Sequence, residues 1–88
     1  MGGGETVILV DISVPTFMKE YDFRLRDDVP IREVIIQVCH ILFEREQCIP
    51  EEEQHEYTLC SITEQKILNK ENTLCSYNIR SGNRLMLI

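Results

Sequence analysis

The sequence lacks several features that would assign it to a common class. It has no tryptophan, only three prolines and four glycines, and no apolar run near the roughly 20 residues of a membrane span. No positive charge precedes the apolar residues 7–10, so no secretory signal is predicted. Nine Lys and Arg residues stand against fifteen Asp and Glu residues, a net charge of −6. This deficit of basic residues counts against a nucleic-acid-binding protein, which usually presents a basic surface.

The residues that are present have the composition of one small globular domain. Of the 88 residues, 43% are hydrophobic and 27% are charged, which suits a chain with a single core. We interpret residues 1–4 as a flexible leader and residues 5–88 as the domain. Gly2 and Thr6 also fit the loose pattern for N-myristoylation, but the adjacent Glu5 offers none of the basic support that a single acyl chain needs. We therefore favour the leader and expect no membrane insertion.

The four cysteines and two histidines form no recognisable chemical site. No Cys-x-x-Cys pair is present, and neither His40 nor His55 completes a zinc-type spacing. No Ser-His-Asp or Cys-His arrangement is suggested, and no glycine-rich loop joins a strand to a helix. We predict reduced thiols, no metal or other cofactor, and a protein that is not an enzyme.

Alternating apolar residues predict strands in the first third of the chain. Every even position from Ile8 to Val14 is apolar, and Tyr21, Phe23 and Leu25 alternate with charged residues. Pro15 and a short polar segment separate the two runs, which favours a β-hairpin.

A single amphipathic helix is predicted after the hairpin. Asp27 and Asp28 favour the start of a helix, where free N–H groups need acceptors, and Pro30 fits the first helical turn. The helix is expected to run to about Glu46, ahead of Pro50. Its apolar stripe comprises positions 31, 34, 35, 38, 41 and 42.

The rest of the chain is predicted to form short elements that complete a mixed sheet. We predict a strand over 57–62, a short strand at 67–68, a turn at 69–72, a helical turn begun by Thr73, a turn at 81–83 and a strand over 84–88. One helix on one face of such a sheet is an α+β arrangement with the first and last strands as central neighbours. Leu85 and Leu87 then face the helix, while Arg84, Met86 and Ile88 face outward.

The closing segment resembles that of ubiquitin. The residues that carry the likeness are Thr73-Leu74, Tyr77-Asn78-Ile79 and Leu85-x-Leu87, helped by Ile49-Pro50 after the helix. The resemblance implies the β-grasp fold, with Leu74 and Ile79 in the core and the Tyr77 hydroxyl holding a loop. The sequence carries no terminal Gly-Gly, so a non-conjugated protein is expected. Thr58 stands where an aliphatic residue of ubiquitin's binding patch is expected, which disfavours recognition by ubiquitin receptors.

A second resemblance is to the small bacterial ubiquitin-like proteins of the YukD type. It rests on Tyr21-Asp-Phe23-Arg-Leu25-Arg-Asp27, on Pro30 and on the ending Asn78-Ile79-x-x-Gly82-x-x-Leu85-x-Leu87. It implies a cytoplasmic accessory or regulatory protein that contacts the type VII secretion machinery of Gram-positive bacteria. Two alternatives stay open: a ubiquitin-like adaptor of other, possibly eukaryotic origin, and a self-associating protein that pairs two copies through Met86 and Ile88.

Two surfaces are candidates for contact with a protein partner. In the first, Phe17 and Met18 at the hairpin tip join Met86 and Ile88, rimmed by Arg84. Ordinary packing of Phe17 over the sheet edge is an equally weighted alternative. The second is an acidic run that would engage basic residues, or would simply be a solvated face: Glu44, Glu46, Glu51, Glu52, Glu53 and Glu56.

Overall fold

The computed structural model describes residues 7–47 and 57–88. The predicted leader, residues 1–4, therefore lies outside the described residues. So do the Pro50 segment and four members of the acidic run, Glu51, Glu52, Glu53 and Glu56.

Five strands of the described residues form one mixed sheet in the order β2-β1-β5-β3-β4. The strands are β1 (Val7–Val14), β2 (Lys19–Arg26), β3 (Leu59–Ser61), β4 (Lys66–Ile67) and β5 (Arg84–Leu87). The helix α1 (Ile31–Arg45) covers one face, and two short 3-10 turns span Pro15–Phe17 and Cys75–Tyr77. This is the predicted α+β arrangement of a ubiquitin-like β-grasp protein.

The predicted hairpin is present with a regular register. β1 and β2 pair antiparallel from Val7 opposite Arg26 to Val14 opposite Lys19. β1 also pairs parallel with β5, with Ile12 opposite Leu85, so the first and last strands are central neighbours as predicted. Central strands of a mixed sheet bury one face completely, which explains their density of Val, Ile and Leu.

Helix α1 begins one residue after Pro30, but the predicted aspartate cap is wrong. The side chain of Asp28 pairs instead with Arg26, at 2.8 Å between Oδ2 and Nη2. The first free N–H groups of the helix donate to loop carbonyls, Ile31 to Asn72 at 2.8 Å and Arg32 to Lys70 at 3.1 Å. A distant loop therefore satisfies the helix start, which local sequence does not reveal.

The buried stripe of α1 agrees with the prediction except at one position. Ile31, Val34, Ile35, Val38 and Leu42 are buried, whereas Ile41 is 39% exposed. Position 41 lies at the margin of the stripe, because Val38 and Leu42 already occupy its centre one turn apart.

The segment between β4 and β5 has the structure that the ubiquitin resemblance implied. Leu74 and Ile79 are buried in the core. The Asn69 N–H donates to the Tyr77 hydroxyl at 2.8 Å, which holds the preceding loop. Thr73 Oγ1 accepts a bond from the Ser76 N–H at 3.2 Å, although the N-cap of the turn Cys75–Tyr77 is Leu74 and not Thr73, one residue later than predicted.

Candidate protein-interaction surface

The face of the sheet opposite the helix is the outer face. Along β5 the buried Leu85 and Leu87 alternate with Arg84, Met86 and Ile88, so these three side chains point outward as predicted. Ile88 is 48% exposed, and its backbone exchanges two hydrogen bonds with Thr58, of 2.7 and 2.9 Å. Alternation along a strand thus placed three of the five predicted contact residues on one face.

Strand pairing adds two residues that the sequence did not suggest. Cys60 lies opposite Met86 on one side and opposite Ile67 on the other. Ile67 is 69% exposed, an unusual fraction for a large aliphatic side chain within a strand. Cys60, Ile67, Met86 and Ile88 are called the outer patch below. Only the register of β3 reveals this patch, and the sequence contains no signal for that register.

The structure does not bring Phe17 to the outer patch. The Phe17 ring meets the Phe43 ring of α1 edge-on, with centroids 6.5 Å apart, and Phe43 in turn contacts Tyr57. Phe17 is therefore half-buried on the helix side of the sheet, as the packing alternative for this residue expected.

Met18, the next residue, remains 88% exposed at the hairpin tip. Its backbone has φ of 55°, in the left-handed region that most side chains disfavour. β1 runs parallel to β5, so the tip and the carboxyl end of β5 lie at the same end of the sheet.

The β1–β2 half of the outer face carries charged residues beside the exposed Val7 and Leu9. Arg84 extends across β1 to Glu20, with 3.2 Å between Nη2 and Oε2. Asp11 and Asp22 lie directly opposite each other on neighbouring strands. A hydrogen bond between the two carboxyls and the repulsion of their charges raise the pKa of Asp22. The outer face thus combines the outer patch on β3–β5 with a closely spaced acidic pair on β1 and β2.

Of the acidic run, the structure describes Glu44 and Glu46. Glu44 is exposed, whereas Glu46 accepts a hydrogen bond from the Tyr21 hydroxyl at 2.6 Å and lies 3.4 Å from the Lys19 ammonium group. The Tyr21 hydroxyl, followed by Lys19, lowers the pKa of Glu46. Glu46 therefore joins the end of α1 to β2, a structural role that neither interpretation of the acidic run had included.

The potential metal ligands and the thiols of the described residues are dispersed. Within 7–47 and 57–88, no three His, Cys, Asp or Glu side chains are grouped so as to hold a metal ion. Cys39, Cys60 and Cys75 are free thiols, and burial raises the pKa of Cys39. A helix long and apolar enough to cross a membrane is likewise not found in the part of the chain that the structure describes.

Comparison with solved structures places the fold among ubiquitin-like domains. The ubiquitin-like domain of the Mycobacterium tuberculosis type VII secretion system protein ECCD1 matches with a TM-score of 0.72 and 18% identity, over 96% of this chain and 99% of that one. The EccD5 ubiquitin-like domain from Mycobacterium xenopi matches with a TM-score of 0.68 and 18% identity, over 96% and 94%. Protomer 1 of the ESX-3 core complex matches with a TM-score of 0.69 and 18% identity, over 93% of this chain and 16% of that one. At these identities the likeness shows the fold alone.

Comparison by sequence gives a family. No curated protein matches the chain. The family model described as "WXG100 protein secretion system (Wss), protein YukD" matches residues 9–87. This match includes every strand from the middle of β1 to the end of β5, and so both halves of the outer face. The chain is therefore a ubiquitin-like protein that belongs to the YukD family.

Proposed function

We propose that this chain is a non-enzymatic module that binds a protein partner noncovalently in the cytoplasm, as an accessory or regulatory component of a type VII secretion system. The observation that carries the proposal is the YukD family match over residues 9–87. The structural likeness to domains of type VII secretion proteins is consistent with it. A ubiquitin-like adaptor of other origin has no comparable support.

The outer face supports a role in binding. Large aliphatic side chains gain nothing from exposure to water, and grouped exposure of this kind often marks a contact site. The outer patch offers Ile67 and Ile88 at 69% and 48% exposure, with Cys60 and Met86 between them. Arg84 lies on β5 beside the patch, and the Asp11–Asp22 pair lies on the next two strands, β1 and β2. We propose that a partner covers the outer patch with apolar side chains and meets the acidic pair with a basic one.

The hairpin tip is proposed as a second contact. Met18 is almost fully exposed at the end of the sheet where β5 also ends. A flexible, polarizable methionine adapts well to an irregular apolar pocket. Phe17 is left out of this surface because it packs against Phe43.

Secretion of WXG100 proteins by the source organism tests the functional proposal. Deletion of the gene is expected to reduce the WXG100 protein in the culture supernatant, and a plasmid copy is expected to restore it. Unchanged secretion after deletion would overturn the assignment to the secretion system. Immunoblots of supernatant and cell pellet give the measurement.

A matched pair of variants tests the surface. Ile67 on the outer patch and Ile36 on the helix are similarly exposed, at 69% and 66%. The variant Ile67→Asp is expected to fail in complementation, whereas Ile36→Asp is expected to restore secretion. Equal restoration by both variants, at equal protein levels, would reject the outer patch as the contact and leave the secretion role intact.

A further inference from the structure

β2 is an edge strand of eight residues with one unpaired side. It lies at the end of the strand order and pairs only with β1 among the described elements. In β1 the odd positions direct their backbone toward β5, since the Asp11 N–H donates to the Asn83 carbonyl at 3.2 Å and the Leu9 carbonyl accepts from Gly82 at 2.8 Å. The even positions of β1 therefore bond to the odd positions of β2.

The even positions of β2 consequently direct their backbone groups away from the sheet. Asp22 and Arg24 are the two central positions of this open edge, and their side chains are exposed. Within residues 7–47 and 57–88, no hydrogen bond satisfies these outward N–H and C=O groups. Such a row of free backbone groups is a template for another strand.

The charges along this edge are antisymmetric about Phe23. The sequence from Lys19 to Asp27 reads Lys-Glu-Tyr-Asp-Phe-Arg-Leu-Arg-Asp, so each charged residue has an opposite charge at the same distance on the other side of Phe23. Charged residues on an edge strand usually discourage pairing between copies, because antiparallel pairing often sets like charges opposite each other. In β2 the antisymmetric order of charges instead allows an antiparallel pairing in which opposite charges face each other.

When two β2 strands pair antiparallel with Phe23 opposite Phe23, each charged residue from Lys19 to Asp27 lies opposite a residue of the other sign in the second copy. Asp22 then lies opposite Arg24 of the second copy, and Glu20 lies opposite its Arg26. The twofold axis repeats both pairs. Beyond them, Lys19 lies opposite the second copy's Asp27.

The same register also satisfies the backbone. It sets even positions opposite even positions, and these carry the outward N–H and C=O groups on both strands. A twofold axis perpendicular to the sheet keeps the outer faces of both copies on one side. Backbone pairing and charge pairing therefore select one and the same register.

Asp22 and Arg24, the central residues of this register, have charges with no ion-pair partner within the described part of a single chain. Within the chain Glu20 already pairs with Arg84, and Arg26 with Asp28. The facing Asp11 raises the pKa of Asp22, so a guanidinium group on its open side would relieve an existing repulsion.

We propose that this chain forms a twofold-symmetric homodimer by antiparallel pairing of β2 with β2 of a second copy, which joins two five-stranded sheets into one. The interface is isologous, as closed dimers require. It leaves the outer patch free on both copies, so the dimer presents two patches on one surface. The proposal does not depend on the secretion role.

Charge reversal at the central pair tests the dimer. Sedimentation equilibrium is expected to show concentration-dependent association of the wild-type chain. Asp22→Arg sets Arg opposite Arg24 of the second copy, and Arg24→Asp sets Asp opposite Asp22. Each variant is expected to weaken association by about tenfold or more, because two like pairs replace two opposite pairs.

A mixture of the two variants is the decisive measurement. The Asp22→Arg chain presents two arginines at the centre of β2 and the Arg24→Asp chain two aspartates, so a heterodimer regains opposite charges at both positions. An equimolar mixture is expected to associate about as well as wild type. Glu64→Arg, an acid-to-arginine change in the turn before β4, is the control and is expected to associate like wild type.

Amide hydrogen exchange gives a readout that needs no variant. At high protein concentration the N–H groups of Asp22 and Arg24 are expected to gain protection, while those of Tyr21 and Phe23, already bonded to β1, change little. A wild-type chain that stays monomeric to about 1 mM would overturn the proposal. So would association that both charge variants leave unchanged, or a mixture that fails to associate.

Discussion

Met18 combines two features that do not contribute to folding. Its side chain is 88% exposed, and its φ of 55° lies in the left-handed region. A side chain in that region costs about 1–2 kcal/mol, a cost that glycine avoids at some loss of chain entropy. We expect Met18→Gly to raise the free energy of unfolding by about 0.5–1 kcal/mol, as measured by urea denaturation.

Asn78 provides the control for this prediction, because it also has a left-handed backbone, with φ of 60°. Asparagine tolerates this region, so Asn78→Gly is expected to gain less. A loss of stability in Met18→Gly would show that the methionine side chain packs in the fold. A gain, together with weaker partner binding, would support a role for Met18 in contact.

The Asp11–Asp22 pair predicts a pH dependence of stability. Asp22 has a raised pKa in the folded chain, so the folded state holds its proton more tightly than the unfolded state. The stabilisation that the protonated Asp22 carboxyl gives is therefore fully present below its unfolded pKa of about 3.9. It is lost as the pH rises through the folded pKa.

Asp22→Asn is expected to remove this loss and to be more stable than wild type at neutral pH, with the difference shrinking in acid. Urea denaturation between acid and neutral pH, at low protein concentration, measures the difference. Greater stability of wild type at neutral pH would contradict the prediction. Ser13→Asn, an outward change elsewhere on β1, is the control that adds no carboxyl group.

At the scale of elements, Glu46 connects the end of α1 to β2. The Tyr21 hydroxyl donates to the Glu46 carboxylate at 2.6 Å and is the main cause of its lowered pKa. A carboxyl whose pKa is lowered in the folded state stabilises that state at pH values above its unfolded pKa. This stabilisation is lost as the pH falls through the folded pKa.

We expect Tyr21→Phe to raise the pKa of Glu46 toward its ordinary value, without reaching it, because Lys19 remains nearby. We also expect a lower melting temperature at neutral pH and a smaller deficit in acid. Carbon-detected NMR titration of the Glu46 carboxyl measures the first effect. An unchanged titration would show that the hydrogen bond does not form in solution.

At the scale of the whole molecule, the two faces of the sheet differ. The helix buries the inner positions of β1, β2 and β5, while within residues 7–47 and 57–88 no element covers the outer face or pairs with the outward edge of β2. Dimerisation through β2 would make stability depend on concentration, because association adds to the folded state by mass action.

We therefore expect the melting temperature of the wild-type chain to rise with protein concentration across the range where it associates. The Asp22→Arg variant is expected to show a smaller rise. Calorimetry or circular dichroism over a hundredfold range of concentration measures the effect. A wild-type melting temperature independent of concentration would contradict it.

The order of the elements, the approximate ranges of β1, β2, α1 and β5 and the faces of most of their residues could be predicted from the sequence, whereas β3 is shorter than predicted and β4 begins one residue earlier. Alternation separated Leu85 and Leu87 from Arg84, Met86 and Ile88, because successive side chains of a strand point to opposite faces. The spacing of apolar residues likewise predicted the helix and all five of its buried positions, since that spacing follows the helical repeat; Ile41 is the one predicted position that is not buried. These features are local, and the backbone geometry of each element determines them.

Neighbours in space were decided by the tertiary structure. The pairing of Cys60 with Met86 and Ile67, the contact of Phe17 with Phe43 and the use of a loop to satisfy the start of α1 all join residues far apart in the chain. Such contacts depend on strand register and on the packing of the helix, which the pattern within each segment does not specify. The sequence by itself thus determined which side chains of β1, β2 and β5 face outward. Only the folded sheet decided which of them lie together, and that the charged edge of β2 pairs with no other strand among the described residues.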